Sequence, residues 1–139
     1  MSIILHNEQE SIIFARNISK YLQSNQIVIF SGDLGSGKTF ICREIIKQLC
    51  GDEHNVISPT FNLLQTYQAP NFMIYHFDLY RLKSSEEIYE LGIEDALQGN
   101  LCLIEWAEII EKILPKPIIK IHLQIIENKK RTLQLHTLI

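Results

Sequence analysis

The chain predicts an α/β sandwich: a mixed central sheet with helices on both faces and antiparallel hairpins. Three observations carry that reading. The apolar run "QIVIF" at 26–30 passes directly into the glycine-rich stretch "SGDLGSGKT", and that stretch into a helical pattern. A second apolar run, "LCLIE" at 101–105, has the same uninterrupted character, which suits a strand buried on both faces of a parallel sheet. Two pairs of alternating segments also flank short turn sequences, as antiparallel hairpins do.

The elements follow in order. Asn7 with Glu10 three residues on resembles a capping box, and Ile12, Ile13, Ala15, Ile18 and Leu22 continue it as a helical stripe to about Leu22. After the strand at 26–30 and the glycine loop, "KTFICREIIKQLC" reads as a helix from Lys38. Its apolar side is Phe40, Ile41, Ile45 and Leu49, and Gly51 is its stop. "FNLLQTYQ" and "NFMIYHFDLY" read as a hairpin turning at Ala69-Pro70-Asn71. "SSEEIYELGIEDALQG" starts a helix at Ser84 or Ser85 and breaks near Gly92. The strand at 101–105 comes next. "AEIIEKIL" then reads as a short helix stopped by Pro115 and Pro117. "IIKIHLQIIE" and "RTLQLHTLI", joined by "NKK", form the second hairpin.

With 139 residues, 46% of them hydrophobic, the expectation is one domain spanning 1–139. A chain of this size buries roughly 68–70% of its unfolded surface, enough for one core, with little length left for a lid or an insertion. The net charge of −3 argues against a broad nucleic-acid footprint. Lys129, Lys130 and Arg131 make a small basic group that reads as a solvated turn. Cys42, Cys50 and Cys102 are odd in number and lack CxxC spacing, so neither a disulfide framework nor a zinc knuckle is indicated, and Cys42 and Cys102 read as buried. His54, His122 and His136 show no metal spacing. Without a leader pattern or an apolar run of about 18 residues, the expected setting is soluble, reduced and cytoplasmic, with no membrane partner.

Gly32, Gly37, Lys38 and Thr39 fit G-x-x-x-x-G-K-[ST], between a buried strand and a helix, which is the context that motif requires. The fold expectation sharpens to a sandwich like that of P-loop NTPases. In such a loop the glycines turn successive N–H groups toward phosphate oxygens, and the helix adds the positive end of its dipole. Gly32, Asp33, Leu34, Gly35, Ser36, Gly37, Lys38, Thr39 and Phe40 are therefore the candidate nucleotide cradle. Lys38 belongs on the β- and γ-phosphates and Thr39 on Mg²⁺.

A metal at such a loop needs a carboxylate from the end of a neighbouring strand, and Glu105 ends "LCLIE". There it binds Mg²⁺ or polarises the attacking water. His76 and Asp78 alternate on one strand and share a face. Asp78 either holds a metal-bound water or acts as base, or it pairs with Arg81 at a strand end. Thr60, after Ser58-Pro59, can reach a γ-phosphate as switch threonines do. Arg43 reads as a structural or partner contact. Trp106, the only Trp, reads as a core or flanking residue beside Glu105 that can sense the site.

Taken together, "GDLGSGKT", "SPTF", "HFDLYRL", "ELGIED" and "LIEWAE", in this order and at these separations, closely resemble the TsaE family, also called YjeE. The resemblance runs from about Ile27 to Glu108, and "HFDLYRL" with "LIEWAE" carries most of it. It implies a small P-loop ATPase of bacterial tRNA threonylcarbamoyladenosine synthesis. Such an ATPase binds the TsaB–TsaD complex and hydrolyses ATP to reset it between transfer cycles, meeting tRNA only through that complex. It also implies ATP and Mg²⁺ at Lys38 and Thr39, Glu105 at the metal, and Asp78 as the catalytic or metal-organising acid. Thr60 is then switch-like and Trp106 flanks the site. Ser36 stands where Ala is frequent in the family, and Phe40 where a second Thr is frequent; neither position supplies a catalytic group.

Three other readings compete with this one. A GTPase would carry N-K-x-D, and "NKKR" at Asn128 lacks the acid. A small-molecule kinase needs a lid with arginines and an acceptor pocket, for which no stretch is evident. A nucleotide-dependent binding switch, holding ATP with negligible hydrolysis, uses the same residues and differs in rate.

Overall fold

The computed structural model describes residues 1–51, 56, 57, 59 and 62–139. Seven strands form one sheet: β1 Ser2–Leu5, β2 Gln26–Ser31, β3 Leu64–Gln68, β4 Met73–Asp78, β5 Leu101–Glu105, β6 Ile118–Ile125 and β7 Arg131–Leu138. Their order across the sheet is β1-β7-β6-β2-β5-β4-β3. The central four, β6, β2, β5 and β4, run parallel, while β3, β7 and β1 pair antiparallel outside them. The mixed sheet and both hairpins are therefore as the pattern requires. The first strand was not anticipated; its four residues are too few to show a period of two.

Strand alternation divides the core into two layers. Val28 and Phe30 of β2 face one side, with Leu101 and Leu103 of β5. There they meet α1 (Glu8–Ser19) through Phe14 and Ala15, and α2 (Lys38–Cys50) through Ile41, Cys42, Ile45 and Ile46. Ile27 and Ile29 face the other side, with Cys102 and Ile104. That layer is closed by two single-turn helices, α3 (Glu87–Glu90) and α4 (Ile93–Ala96), and by the segment 107–114, through Ile88, Ile93, Ala96, Ile110 and Leu114. Every residue of β5 is buried, as its unbroken apolar character demands.

The caps behave as chemistry dictates. Asn7 Oδ1 accepts the Glu10 N–H at 2.9 Å, which starts α1. The Gly51 N–H closes α2 on the Lys47 carbonyl at 2.8 Å. The stretch 84–99 divides at Gly92 as its pattern predicts, since a φ of +86° permits no continuous helix. Four boundaries differ from the periodicity. α1 ends at Ser19, although Leu22 remains buried beyond it. The helix expected from Ser84 or Ser85 begins at Glu87. "AEIIEKIL" forms two 3₁₀ turns, Ala107–Ile109 and Glu111–Ile113, instead of one helix. Trp106 enters it left-handed, and the junction residue Ile110 sits at φ −118°, so the i→i−4 ladder never starts. β3 begins at Leu64 because Leu63 takes φ +64°; Phe61 lies outside the described residues.

Candidate functional site

Parallel register brings the predicted residues to one edge of the sheet. Phe30, Glu105 and Asp78 are Cα partners across β2, β5 and β4, so the glycine loop and both carboxylates emerge at the carboxyl ends of adjacent strands. Open α/β sheets bind ligands at such an edge. Residues 34–40 line a cleft of about 360 Å³ there, with Asp78, Tyr80, Arg81, Glu105 and Trp106.

Two glycines fix the loop. Gly32 sits at φ +139°, and a Cβ there would overlap the Leu123 carbonyl oxygen. Gly37 caps α2 in the left-handed region at φ +106°. Between them, the Ser36 N–H donates to Asp33 O at 3.0 Å. Lys38, almost wholly buried, folds back over the loop. Its Nζ donates to the carbonyls of Gly32 and Asp33, the latter at 3.1 Å, and stands 3.9 Å from the centroid of the Trp106 ring. A cation over an indole is attracted by the ring quadrupole. Burial holds the ammonium below its ordinary proton affinity, opposed by the carboxylates of Glu105, Glu108, Asp78 and Asp33.

Thr39 Oγ1 donates to Glu105 Oε1 at 2.6 Å, while Glu105 Oε2 lies 2.7 Å from His76 Nε2. Glu105 is 1% exposed and His76 fully buried. A carboxylate this deep requires donors on both oxygens, and it has them. Asp78 Oδ1 accepts the Tyr80 N–H at 3.1 Å. Burial pushes the Asp78 carboxyl above its usual range; the Tyr80 hydrogen bond opposes this and the Glu105 charge adds to it.

The donor set facing the cleft is hard: one hydroxyl and two carboxylates. Such a set suits Mg²⁺, which takes oxygen ligands and few protein groups.

The structure thus brings together Lys38, Thr39, Asp78, Glu105, Trp106 and the loop from Gly32 to Phe40. Leu34 is 71% exposed at the loop's tip. Trp106 is left-handed at φ +58°, which lays its ring beneath Lys38 and against Tyr80, centroids 4.9 Å apart. Thr60 and His54 lie outside the described residues. Arg43 lies on α2, and its buried Nε meets no hydrogen-bond partner among the described residues. His122 Nδ1 lies 2.8 Å from Ser31 Oγ.

Sequence reasoning missed two residues. Arg131 is not part of a solvated turn. Its Nε donates to Ser36 O at 2.7 Å and its Nη2 to Gly35 O at 3.4 Å, tying β7 to the loop. The basic triplet hid it, because a hairpin's long-range partner leaves no local signal. His76 was readable only as sharing a face with Asp78; its bond to Glu105 depends on the β4–β5 register.

The fold and site together define an α/β protein with a glycine-rich loop at the carboxyl edge of its parallel strands, beside hydroxyl and carboxylate donors. The model of the family "Threonylcarbamoyl adenosine biosynthesis protein TsaE" matches residues 5–133, and the chain belongs to that family. The Rickettsia felis protein named "tRNA threonylcarbamoyladenosine biosynthesis protein TsaE" is 59% identical over 129 residues, 93% of this chain and 75% of its own length. The Haemophilus influenzae protein of that name is 40% identical over 112 residues, 79% of this chain and 70% of its own. The crystal structure of Bacillus subtilis YdiB superimposes with a TM-score of 0.77 at 23% identity, covering 99% of this chain and 84% of that one, which establishes the shared fold. Among the described residues, no helix is long and apolar enough to cross a membrane.

Proposed function

We propose that this chain is an ATP hydrolase of tRNA threonylcarbamoyladenosine biosynthesis that docks on a TsaB–TsaD complex and resets it between transfer cycles. Family membership supports the pathway. One observation carries the nucleotide chemistry. Adjacent residues at the start of α2 supply an ammonium and a hydroxyl, and the hydroxyl already lies 2.6 Å from a buried carboxylate on the next strand.

In this reading the backbone from Gly32 to Thr39 cradles the phosphates and Lys38 neutralises them, with Phe40 and Trp106 flanking. Thr39, Glu105 and Asp78 are the groups that would hold Mg²⁺, which supplies charge neutralisation on the phosphate oxygens. Glu105 is tied at both oxygens, as suits a fixed ligand. Asp78, at the end of β4 beside Glu105, either holds a metal-bound water or takes the proton of the attacking water. Thr60 is assigned the γ-phosphate contact. The setting is cytoplasmic, and tRNA is met through the complex.

The test is ATP turnover of the purified chain, alone and with TsaB and TsaD. Slow turnover that the pair raises, and that a Lys38→Met variant does not show, supports the reading. Tight ATP binding without turnover under any condition would make the chain a binding switch. Turnover only with a small acceptor would make it a kinase.

A further inference from the structure

Glu105 is held by two donors from two directions, a hydroxyl at the cleft and a buried imidazole behind it. Thr39 Oγ1 donates its proton to Glu105 Oε1 at 2.6 Å. A hydroxyl ligates a cation through an oxygen lone pair, which leaves that proton on Glu105. The second donor, His76 Nε2, sits 2.7 Å from Glu105 Oε2 on β4, behind the carboxylate. Because the partner there is a carboxylate, Nε2 is the nitrogen that carries the proton.

His76 has no other evident role. It is fully buried in the layer between the sheet and α2, and its Nδ1 meets no hydrogen-bond partner among the described residues. A buried imidazole with an orphaned nitrogen is a cost that an apolar residue would avoid. Cys42 Sγ, from α2, lies within 4.8 Å of the His76 and Glu105 ligand atoms. The ring spends its one bonded proton on Glu105.

We propose that His76 is a positioning residue for the cation site: its bond to Oε2 keeps Glu105 turned toward the cleft. This rests on the Mg²⁺–ATP reading above. Partners that orient a metal's ligands typically change affinity by about 10–100-fold when removed.

The experiment separates metal from nucleotide at equilibrium. Trp106, the only Trp, reports ATP binding by fluorescence from its place against Lys38. ATP is titrated first with chelator present, then at fixed ATP with increasing Mg²⁺, for the parent and for His76→Leu, His76→Asn and His76→Gln. The amide nitrogen of Gln lies as many bonds from Cα as His Nε2 does, whereas that of Asn matches Nδ1. Metal-free ATP affinity should hold within about threefold in all four, because the hydrogen bond His76 makes is to Glu105 and not to the loop. The Mg²⁺ half-saturation should rise about 10–100-fold in His76→Leu and His76→Asn, and return to within about fivefold of the parent in His76→Gln. Thermal melts identify any unfolded variant, and His76→Gln against His76→Asn then decides between two polar replacements. Unshifted Mg²⁺ dependence in His76→Leu, or His76→Gln as impaired as His76→Asn, overturns the proposal alone. A parent without Mg²⁺-dependent ATP binding overturns the nucleotide reading and this proposal with it.

Discussion

Replacing Lys38 by Met tests the loop most directly, since Met keeps most of the aliphatic stem and removes only the charge. The ammonium is almost wholly buried and makes two bonds to loop carbonyls, with Trp106 beneath it at 3.9 Å. Its proton affinity is lowered because desolvation outweighs the four carboxylates around it. A Lys whose folded pKa lies below its unfolded value costs the fold stability at neutral pH, so removing the charge relieves that cost while forfeiting the two carbonyl bonds. These effects oppose each other, and the melting midpoint should stay within about 4 °C of the parent. Binding has no such offset. Hydrogen bonds to charged groups contribute about 1.5–3 kcal/mol each, and the loss of one to two such bonds to phosphate, about 3–4 kcal/mol, weakens ATP binding about 10²–10³-fold. Calorimetric titration measures it, with circular dichroism to establish the fold. A folded variant binding ATP within threefold of the parent would refute the assignment of the loop.

Three further outcomes are expected. Glu105→Gln should still bind ATP but lose about 100-fold or more in turnover, because a neutral amide cannot hold a cation as the carboxylate does; single-turnover assays in saturating Mg²⁺ read this. Asp78→Asn should melt higher than the parent at pH 7 while turning over slowly. Burial raises the folded pKa of Asp78, so its penalty is fully present above that pKa and relieved as pH falls through it toward the unfolded value; the variant's advantage should shrink over the same window. Arg131→Ala leaves two loop carbonyls without their donor and should weaken ATP binding about tenfold, with turnover at saturating ATP nearly unchanged; steady-state kinetics will show whether KM alone moves.

Much of this was legible because the signals are local. The run 26–30, the loop and the helix from Lys38 lie consecutively, and their periods alone give strand, turn and helix. Glu105 was readable because an acid ending a buried strand has few alternative roles beside such a loop. What escaped depends on distant pairing. Arg131 and Ser36 are 95 positions apart, and His76 and Glu105 are 29 apart. No periodicity encodes either contact; both follow from which strands become neighbours. The segment 107–114 misled for a different reason. Its Ile and Leu spacing fits a helix, but the left-handed turn at Trp106 that places the indole under Lys38 sets the backbone off in another direction. There the needs of the site overrode local propensity, at a cost of about 1–2 kcal/mol for a non-glycine residue in that conformation.

Several groups of the site already hold one another. Lys38 bonds two loop carbonyls, Arg131 bonds two more, and Thr39 and His76 occupy both oxygens of Glu105. The loop is therefore ordered on folding, and a phosphate that enters does not bear the entropy of ordering it. What binding must change is narrow: the Lys38 ammonium exchanges loop carbonyls for phosphate. Lys38 rests on Trp106, and Trp106 on Tyr80, which is 56% exposed. A shift of the ammonium toward phosphate thus withdraws a cation from one ring and alters its packing on a second ring at the surface. A partner that contacts Tyr80 would meet a different surface in the two states. By the same chain of contacts, Tyr80→Ala should leave ATP affinity near that of the parent while reducing any acceleration of turnover by a protein partner. An undiminished acceleration in that variant would show that nucleotide occupancy is communicated by another route.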